Sequence, residues 1–496
     1  MASPLFLGID QSTQGTKAVL FDEHGSMVDK FTLPHEQIIN DLGYVEHNLS
    51  EIRKNVTLVV EGLLKRDPSY ESRIKTAGIS VQRETVGMWQ KSTLRPLYNA
   101  VVWQCPRGAA FVQRPEIASK ADRIREITGL ELSEFFSAPK ITWLMDNVPE
   151  AKSLAEKDDL CIGNMDSYVI ACLTHGRCFA TEPSNASRTM LLDIRALKWS
   201  EELCSLFKVP LNALPEIKDS DSLFGMTDFD GVLAHEIPIH SALGDSMGAL
   251  FGHGCLKPGQ IKTTFGTGSS IMMNAGQEVS SCLHGIVNSV GWRRQGRVTY
   301  ALEGNINYSA GIISYLKDDL ELISDPSETE ALARAANPND SCYFVPAFSG
   351  LGAPYFTGRV RGMICSMSRL TGKKELVRAA LDSIAYQVAD IVDLVRRSAK
   401  EEVTELSVDG GATRNGYLMQ MVSDLLYLPL KAPSDAELSA KGVALMAAIA
   451  SGCLDESVLF DDQKIDTFSP AMPEDVRKTK MDGWHKAVKS ALEHGL

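Results

Sequence analysis

Three turns rich in glycine, threonine and serine stand at the ends of apolar runs: Gly8-Ile-Asp-Gln-Ser-Thr-Gln-Gly-Thr-Lys17, Thr264-Phe-Gly-Thr-Gly-Ser269 and Val408-Asp-Gly-Gly-Ala-Thr-Arg-Asn415. Small side chains let a backbone approach phosphate oxygens, hydroxyls add donors, and successive N–H groups form an anion-binding concavity that needs no net positive charge. None of the three is a P-loop, because G-x-x-x-x-G-K-[ST] occurs nowhere in the chain. One such turn alone is commonly an ordinary hairpin; three at strand ends point to a nucleotide.

Carboxylates accompany the turns. Asp10 ends the first apolar run, where it can hold Mg²⁺ through water, since magnesium keeps much of its hydration shell and takes few protein carboxylates. A turn Asp bonding its own backbone is the plainer alternative. Asp245 follows the apolar run 237–243 and precedes Ser246-Met-Gly-Ala-Leu-Phe251, so it stands at a helix start. It is either an N-cap or a base that accepts the proton of a substrate hydroxyl during phosphoryl transfer. Arg83 and Glu84, in Gln82-Arg-Glu-Thr85, offer fixed donors and an acceptor suited to neighbouring hydroxyls, or simply a surface ion pair. Trp103 could wall a pocket against a carbon chain or fill a core as part of a strand. His235 and His240 look metalloprotease-like, yet they are five apart and Pro238 breaks any helix between them, so no metal pair follows.

The elements that must hold these residues read as α/β. Residues 5–9, 17–21 and 26–31 form an antiparallel meander with a turn at 22–25. Ser50 then caps a helix whose Ile52, Val56, Val59, Val60, Leu63 and Leu64 share one face, and 76–81 is the next strand. The second half repeats this grammar: strands at 259–265 and 270–274 flank the turn 266–269. A long amphipathic helix follows over 376–392, then a strand at 405–409 and a helix from near Asn415. The division predicted is two similar mixed-sheet lobes, 1–244 and 245–496.

At 496 residues the chain is long enough for two large cores, and 44% hydrophobic with 23% charged residues is ordinary globular composition. Sixty-three acids against fifty bases give a net charge of −13, which excludes a basic footprint for nucleic acid or anionic lipid. Ten cysteines without a C-x-x-C pair suggest neither zinc nor a disulfide framework. The longest apolar run, 443–450, falls far short of the roughly 20 residues that span a bilayer. A cytoplasmic protein is expected, with no nucleic-acid or membrane partner; a homodimer is compatible with the sequence.

The ordered set Gly8-Ile-Asp-Gln11 with Thr13, Gln82-Arg-Glu-Thr85, Val102-Trp-Gln104, residues 135–147, Asn185-Ala-Ser-Arg-Thr189, Gly244-Asp245, Phe265-Gly-Thr-Gly268, residues 345–355 and Asp409-Gly-Gly411 resembles the FGGY carbohydrate kinases. The likeness runs to about residue 455 and is greatest to the members that phosphorylate glycerol. It implies an α/β, two-lobed actin-like (ribonuclease H-like) ATPase fold, with ATP on the C-terminal lobe, a small polyol or sugar on the N-terminal one, and closure on binding. By that resemblance Asp10 is the magnesium-associated residue and Asp245 the base. Thr13, Gln14 and Lys17 belong to the first phosphate turn, Gly266 and Thr267 to the second, and Gly410, Gly411 and Asn415 to the nucleotide contact. Arg83, Glu84, Trp103, Phe135 and Ser246 would line the acceptor pocket.

Three positions depart from the glycerol-type pocket: Phe135 replaces a hydroxyl-bonding Tyr, Ser246 a Gln, and Ser270 a Phe that would pack on the carbon chain. Such changes relax selectivity and make room, so a tetritol kinase or a ketopentose kinase such as a xylulokinase is the alternative expectation. Arg83 and Glu84 weigh against the ketopentose. A nonenzymatic actin-fold ATP switch would explain the turns but not Arg83, Glu84 and Asp245.

Overall fold

The computed structural model describes residues 3–281, 283–348, 350–355, 357–433, 437–456 and 465–494. Ser349, within the run 345–355 that carries part of the resemblance, lies outside these residues.

The meander forms as the alternation requires. Leu5–Gln11 pairs antiparallel with Gly15–Phe21, which pairs antiparallel with Met27–Pro34. Leu5–Gln11 also pairs in parallel with Ile74–Val81, and that strand in parallel with Ile237–Gly244. Leu5–Gln11 is buried throughout, as expected of a central strand covered on both faces. In the second half the hairpin Ile261–Phe265 and Ser269–Gly276 extends antiparallel to Arg297–Ile306, and Ile261–Phe265 pairs in parallel with Leu406–Gly410. The same order of pairing therefore occurs twice, hairpin first and parallel strands beside it, in sheets of six and seven strands. This is the duplicated mixed-sheet α/β fold.

Helices cover the sheets as the periodicity predicts. Leu49–Arg66 buries Ile52, Val56, Val59, Val60 and Leu63, and Lys373–Ser398 buries the second core face. The first helix begins earlier than expected. Asn48, not Ser50, is its N-cap: the Asn48 carboxamide oxygen accepts from the Ser50 and Glu51 N–H groups at 2.9 and 3.2 Å, leaving Ser50 inside the first turn. Trp103 also departs from expectation, because its strand ends at Val101 and the indole sits in the turn that follows.

An antiparallel five-stranded sheet contains Val86–Gln90, Ala100–Val101 and Leu160–Asn164, and Phe135 packs on the apolar cluster to which the sheet's Val86, Met88, Val101, Leu160 and Ile162 belong.

The helix Leu438–Ala450 has no counterpart in the sequence reading. It follows a strand of the second sheet yet lies on the first, against Leu5–Gln11, Ile74–Val81 and Ile237–Gly244, and it packs along the helix Asp245–Gly252. Glycines permit the approach: a Cβ on Gly8 would lie 2.3 Å from the Ala440 carbonyl oxygen, and one on Gly78 2.3 Å from that of Val443. Gly8 therefore admits a helix rather than a phosphate, since it lies within the strand and not in the turn. Among the described residues no helix is long and apolar enough to cross a membrane.

Candidate active site

A cleft of about 670 Å³ opens between the two sheets, lined from the N-terminal side by Thr13, Arg83, Glu84, Trp103, Phe135, Asp245 and Ser246. From the C-terminal side it is lined by Lys262, Thr264, Gly266, Thr267, Ser270, Asn305 and Asp409, among others. All of the acceptor-pocket residues singled out in the sequence, Arg83, Glu84, Trp103, Phe135, Asp245 and Ser246, thus meet the second glycine-rich turn in one space.

Arg83 and Glu84 leave the end of Ile74–Val81 in a tight bend. Glu84 adopts φ 59°, a left-handed conformation rare for a non-glycine residue. The bend is held where the Thr85 N–H donates to the Arg83 carbonyl at 2.7 Å and the Ser137 hydroxyl to the Glu84 carbonyl at 2.9 Å. Arg83 then reaches across the cleft. Its two terminal nitrogens donate to both oxygens of Glu303 at 2.9 Å each, while its Nε lies 3.4 Å from Asp245 Oδ1. Arg188 bonds Glu84 through Nε and lies 3.0 Å from Glu303 through Nη1. Burial alone would raise the Glu303 carboxyl, but Arg188 and Arg83 outweigh it and hold the group well below the usual carboxylate range.

Asp245 opens the helix Asp245–Gly252 at the mouth of this network. Its side chain is 34% exposed, its Oδ1 accepts from the Ser246 N–H at 2.6 Å, and its backbone carbonyl accepts from the Ser439 hydroxyl at 2.9 Å. Trp103 and Phe135 meet edge to face at 5.4 Å, making an aromatic wall. The Trp103 indole donates to the Thr13 hydroxyl at 3.0 Å, so the first turn and the wall are one unit. Lys140, buried beneath, donates to the carbonyls of Glu134, Phe135 and Phe136, fixing the loop that presents Phe135.

Asp10 lies behind the first turn, 5% exposed, accepting from the Ser80 hydroxyl at 2.9 Å with Lys17 at 3.7 Å. Burial pushes its carboxyl up to about 6 despite Lys17, and Asp245 adds to the rise. Lys17 is held away from the cleft by Glu437, to which it donates at 2.7 Å. Gln14 is exposed at the turn tip.

In the second hairpin turn the Gly266 N–H donates to Gly268 O at 2.9 Å, and the Gly266 and Thr267 carbonyls accept from the segment 309–311. The third turn bends at Gly410, φ 99°, where a Cβ would meet Phe265 O at 2.1 Å; Gly411 faces open space. Asn415 caps the helix Gly416–Leu426, accepting from Leu418 N–H at 3.0 Å while its amide donates to Thr329 at 3.0 Å. Its side chain is thereby committed to structure.

Glu303, Lys262, Asn305 and Glu437 went unremarked in the sequence. A lone charge inside an apolar strand was the available signal: Gln-Ile-Lys262-Thr-Thr-Phe and Tyr-Ala-Leu-Glu303-Gly each carry one. Among the described residues no cluster of three or more His, Cys, Asp or Glu side chains is set to hold a metal. The donor set at Asp10 and Asp245 fits an ion that brings its other ligands as water and phosphate.

A model of the FGGY family of carbohydrate kinases, N-terminal domain, matches residues 5–252, and that of the C-terminal domain matches 261–451. Glycerol kinase 1 of Thermotoga maritima is 43% identical over 489 residues, covering 98% of this chain and 99% of that protein. A glycerol kinase of Desulforamulus reducens is 38% identical over 99% of both. Among solved structures, Plasmodium falciparum glycerol kinase with ADP superposes with a TM-score of 0.93 at 33% identity, covering 99% of this chain and 98% of that one. A xylulose kinase from Lactobacillus acidophilus shares the fold with a TM-score of 0.85 at 18% identity, covering 99% and 97%. With both domain models matched in order, a cleft between duplicated sheets and full-length relatives above 30% identity, the chain belongs to the FGGY family of carbohydrate kinases and is a phosphotransferase acting on an alcohol.

Proposed function

We propose that this chain transfers the γ-phosphoryl group of ATP to a hydroxyl of a small polyol held between Arg83, Glu84 and the Trp103–Phe135 wall. The observation that carries the reading is Asp245: a partly exposed carboxylate in one cavity with the polar Arg83–Glu84 pair and the Gly266–Ser269 turn. The relatives named glycerol kinase and the ADP of the Plasmodium structure support the donor and the acceptor class.

The acceptor oxygen attacks the γ-phosphorus, its proton passes to Asp245, and the bond to the β–γ bridging oxygen breaks with its electrons leaving on ADP. Arg83 keeps Asp245 oriented through Nε while its other nitrogens remain on Glu303. The nucleotide lies along the turns at 266–269 and 410–415 of the C-terminal lobe, and the acceptor against the N-terminal side of the cleft, which carries Asp245 and Ser246. Thr13 and Gln14 cover the phosphates from the opposite side, and closure of the lobes excludes water. Asp10 and Asp245 would hold Mg²⁺ through water, and the ion supplies charge neutralisation on the β- and γ-phosphates when bound.

A longer acceptor is favoured by one observation. The Ser270 hydroxyl oxygen, on the cleft wall, is buried with no hydrogen-bond partner. A buried polar atom without a partner is costly. A tetritol or ketose with one more hydroxyl than glycerol would satisfy it after rotation about χ1.

Asp245→Asn is expected to lower kcat by about 10²- to 10⁴-fold while ATP still binds, measured by coupled ADP release and calorimetry. Near-normal turnover in a folded D245N enzyme would sink the base. Assays with glycerol, erythritol, threitol, xylulose and ribulose identify the acceptor, and no response to any of them would overturn the kinase reading.

A further inference from the structure

Lys262 is 1% exposed and yet lines the cleft. It projects from Ile261–Phe265 on the same face as Thr264, two residues on. In register, Thr264 stands beside Ser270 on one side and Asp409 on the other, so Asp409, Thr264, Ser270 and Asn305 form a polar row across four strands. All four line the cleft, and Lys262 lies one step behind the row.

Its ammonium has three donors and no acceptor. Among the described residues only the Thr264 hydroxyl accepts from it, at 2.8 Å. The charged groups that face it are Asp409, Arg83, Asp245 and Glu303. Burial outweighs the carboxylates and lowers the lysine from its ordinary value, so the pocket does not compensate the charge fully.

Only two cations line the cleft among the described residues, Arg83 and Lys262. Both terminal nitrogens of Arg83 are committed to Glu303. Lys17 donates to Glu437 at 2.7 Å and does not line the cleft. A phosphoryl group in flight between ADP and an alcohol spreads negative charge over its peripheral oxygens and is stabilised by fixed donors aimed at them.

We propose that Lys262 is a catalytic residue that donates hydrogen bonds to the peripheral oxygens of the transferring phosphoryl group. The inference rests on the kinase reading above. Lys262 exchanges no proton: the acceptor proton goes to Asp245 and the bridging electrons to ADP. The Thr264 hydroxyl holds the ammonium at the level of the polar row, leaving two N–H groups for the oxygens.

The test begins with the wild-type enzyme and its best polyol acceptor. If no acceptor is phosphorylated, the kinase reading fails and Lys262 falls with it. Given activity, Lys262→Met is expected to lose about 10²- to 10³-fold in kcat with little change in KM for ATP or acceptor. It should also weaken binding of ADP with aluminium fluoride, a mimic of the group in flight, far more than binding of ADP. Lys262→Arg, which keeps the charge, should recover part of kcat. A folded K262M with kcat within threefold of wild type, or one whose only defect is acceptor KM, would overturn the role. If K262M does not fold, Thr264→Val removes the lysine's one bond and keeps its charge. About a tenfold loss of kcat is then expected, and unchanged kcat would overturn the assignment equally.

Discussion

Glu303 is the residue on which the site's electrostatics turn. It is fully buried, accepts from both terminal nitrogens of Arg83 and lies 3.0 Å from Arg188 Nη1, so it compensates the two guanidinium charges that flank it. Removing one member of a buried ionic group leaves its partners uncompensated, which costs about 3–5 kcal/mol. Glu303→Gln keeps the shape and removes the charge. It should therefore destabilise the fold by about that amount in denaturant unfolding and raise acceptor KM, because Arg83 is no longer tethered. A loss under 1 kcal/mol with unchanged KM would refute the tether. Sequence alone made Arg83 and Glu84 visible as adjacent opposite charges after an apolar run. It did not show Glu303 or Lys262, because their facing depends on strand register, Glu303 standing beside Met272 and Lys262 beside Ser407, and register is a tertiary quantity. It also did not show that Lys17 is held by Glu437, more than 400 residues along the chain.

Among the elements, the short turn Pro183–Ala186 positions the base from behind. Glu182 caps it, accepting from Ser184 N–H at 2.8 Å and Asn185 N–H at 2.7 Å and from the Ser220 hydroxyl at 2.7 Å. The Ser184 hydroxyl donates to Glu182 and accepts from Gly244 N–H at 2.9 Å, one residue before Asp245. Burial pushes the Glu182 carboxyl up to about 7 from an ordinary 4.5, with Asp166 adding to the rise against the hydrogen bonds. Between those values the folded chain holds a proton that the unfolded chain has released. This contribution to stability is therefore complete below about 4.5 and is lost as pH rises through about 7. Glu182→Gln does not titrate. Thermal unfolding from pH 5 to 8 should show wild type losing stability relative to E182Q as pH rises, and parallel curves would refute the shift. The hairpins, the two long helices and the parallel strands were legible because each buries its own periodic face. The Asn48 cap was missed because Asn-Leu-Ser offers two capping residues two apart, and only backbone geometry chooses between them.

For the whole molecule, the decisive piece is the helix Leu438–Ala450, which belongs by sequence to the second half and by packing to the first sheet. Its alanines and glycine look in sequence like an ordinary buried helix, and its role depends on what lies opposite. Gly442 crosses Gly248 of the Asp245 helix so closely that a Cβ at 442 would stand 1.9 Å from the Gly248 carbonyl oxygen, with no flexible side chain to give way. The two helices must therefore separate or rotate to accept even a methyl group, and overpacking of this kind costs about 1–3 kcal/mol. Separation moves more than the crossing. The Asp245 helix carries the proposed base at its first residue, and Ser439 of the partner helix bonds the Asp245 carbonyl at 2.9 Å. A shift of about 1 Å at reacting groups can lower a rate about 10²-fold. Gly442→Ala, which does not line the cleft, is thus expected to lower the melting temperature and to reduce kcat by about tenfold or more, while KM for ATP stays near wild type because the turns at 266–269 and 410–415 are untouched. Steady-state kinetics below the melting transition separate these effects. A variant that melts early but turns over at the wild-type rate would mean that the helix crossing carries stability alone, and that the base is positioned by the Arg83 and Ser184 networks without it.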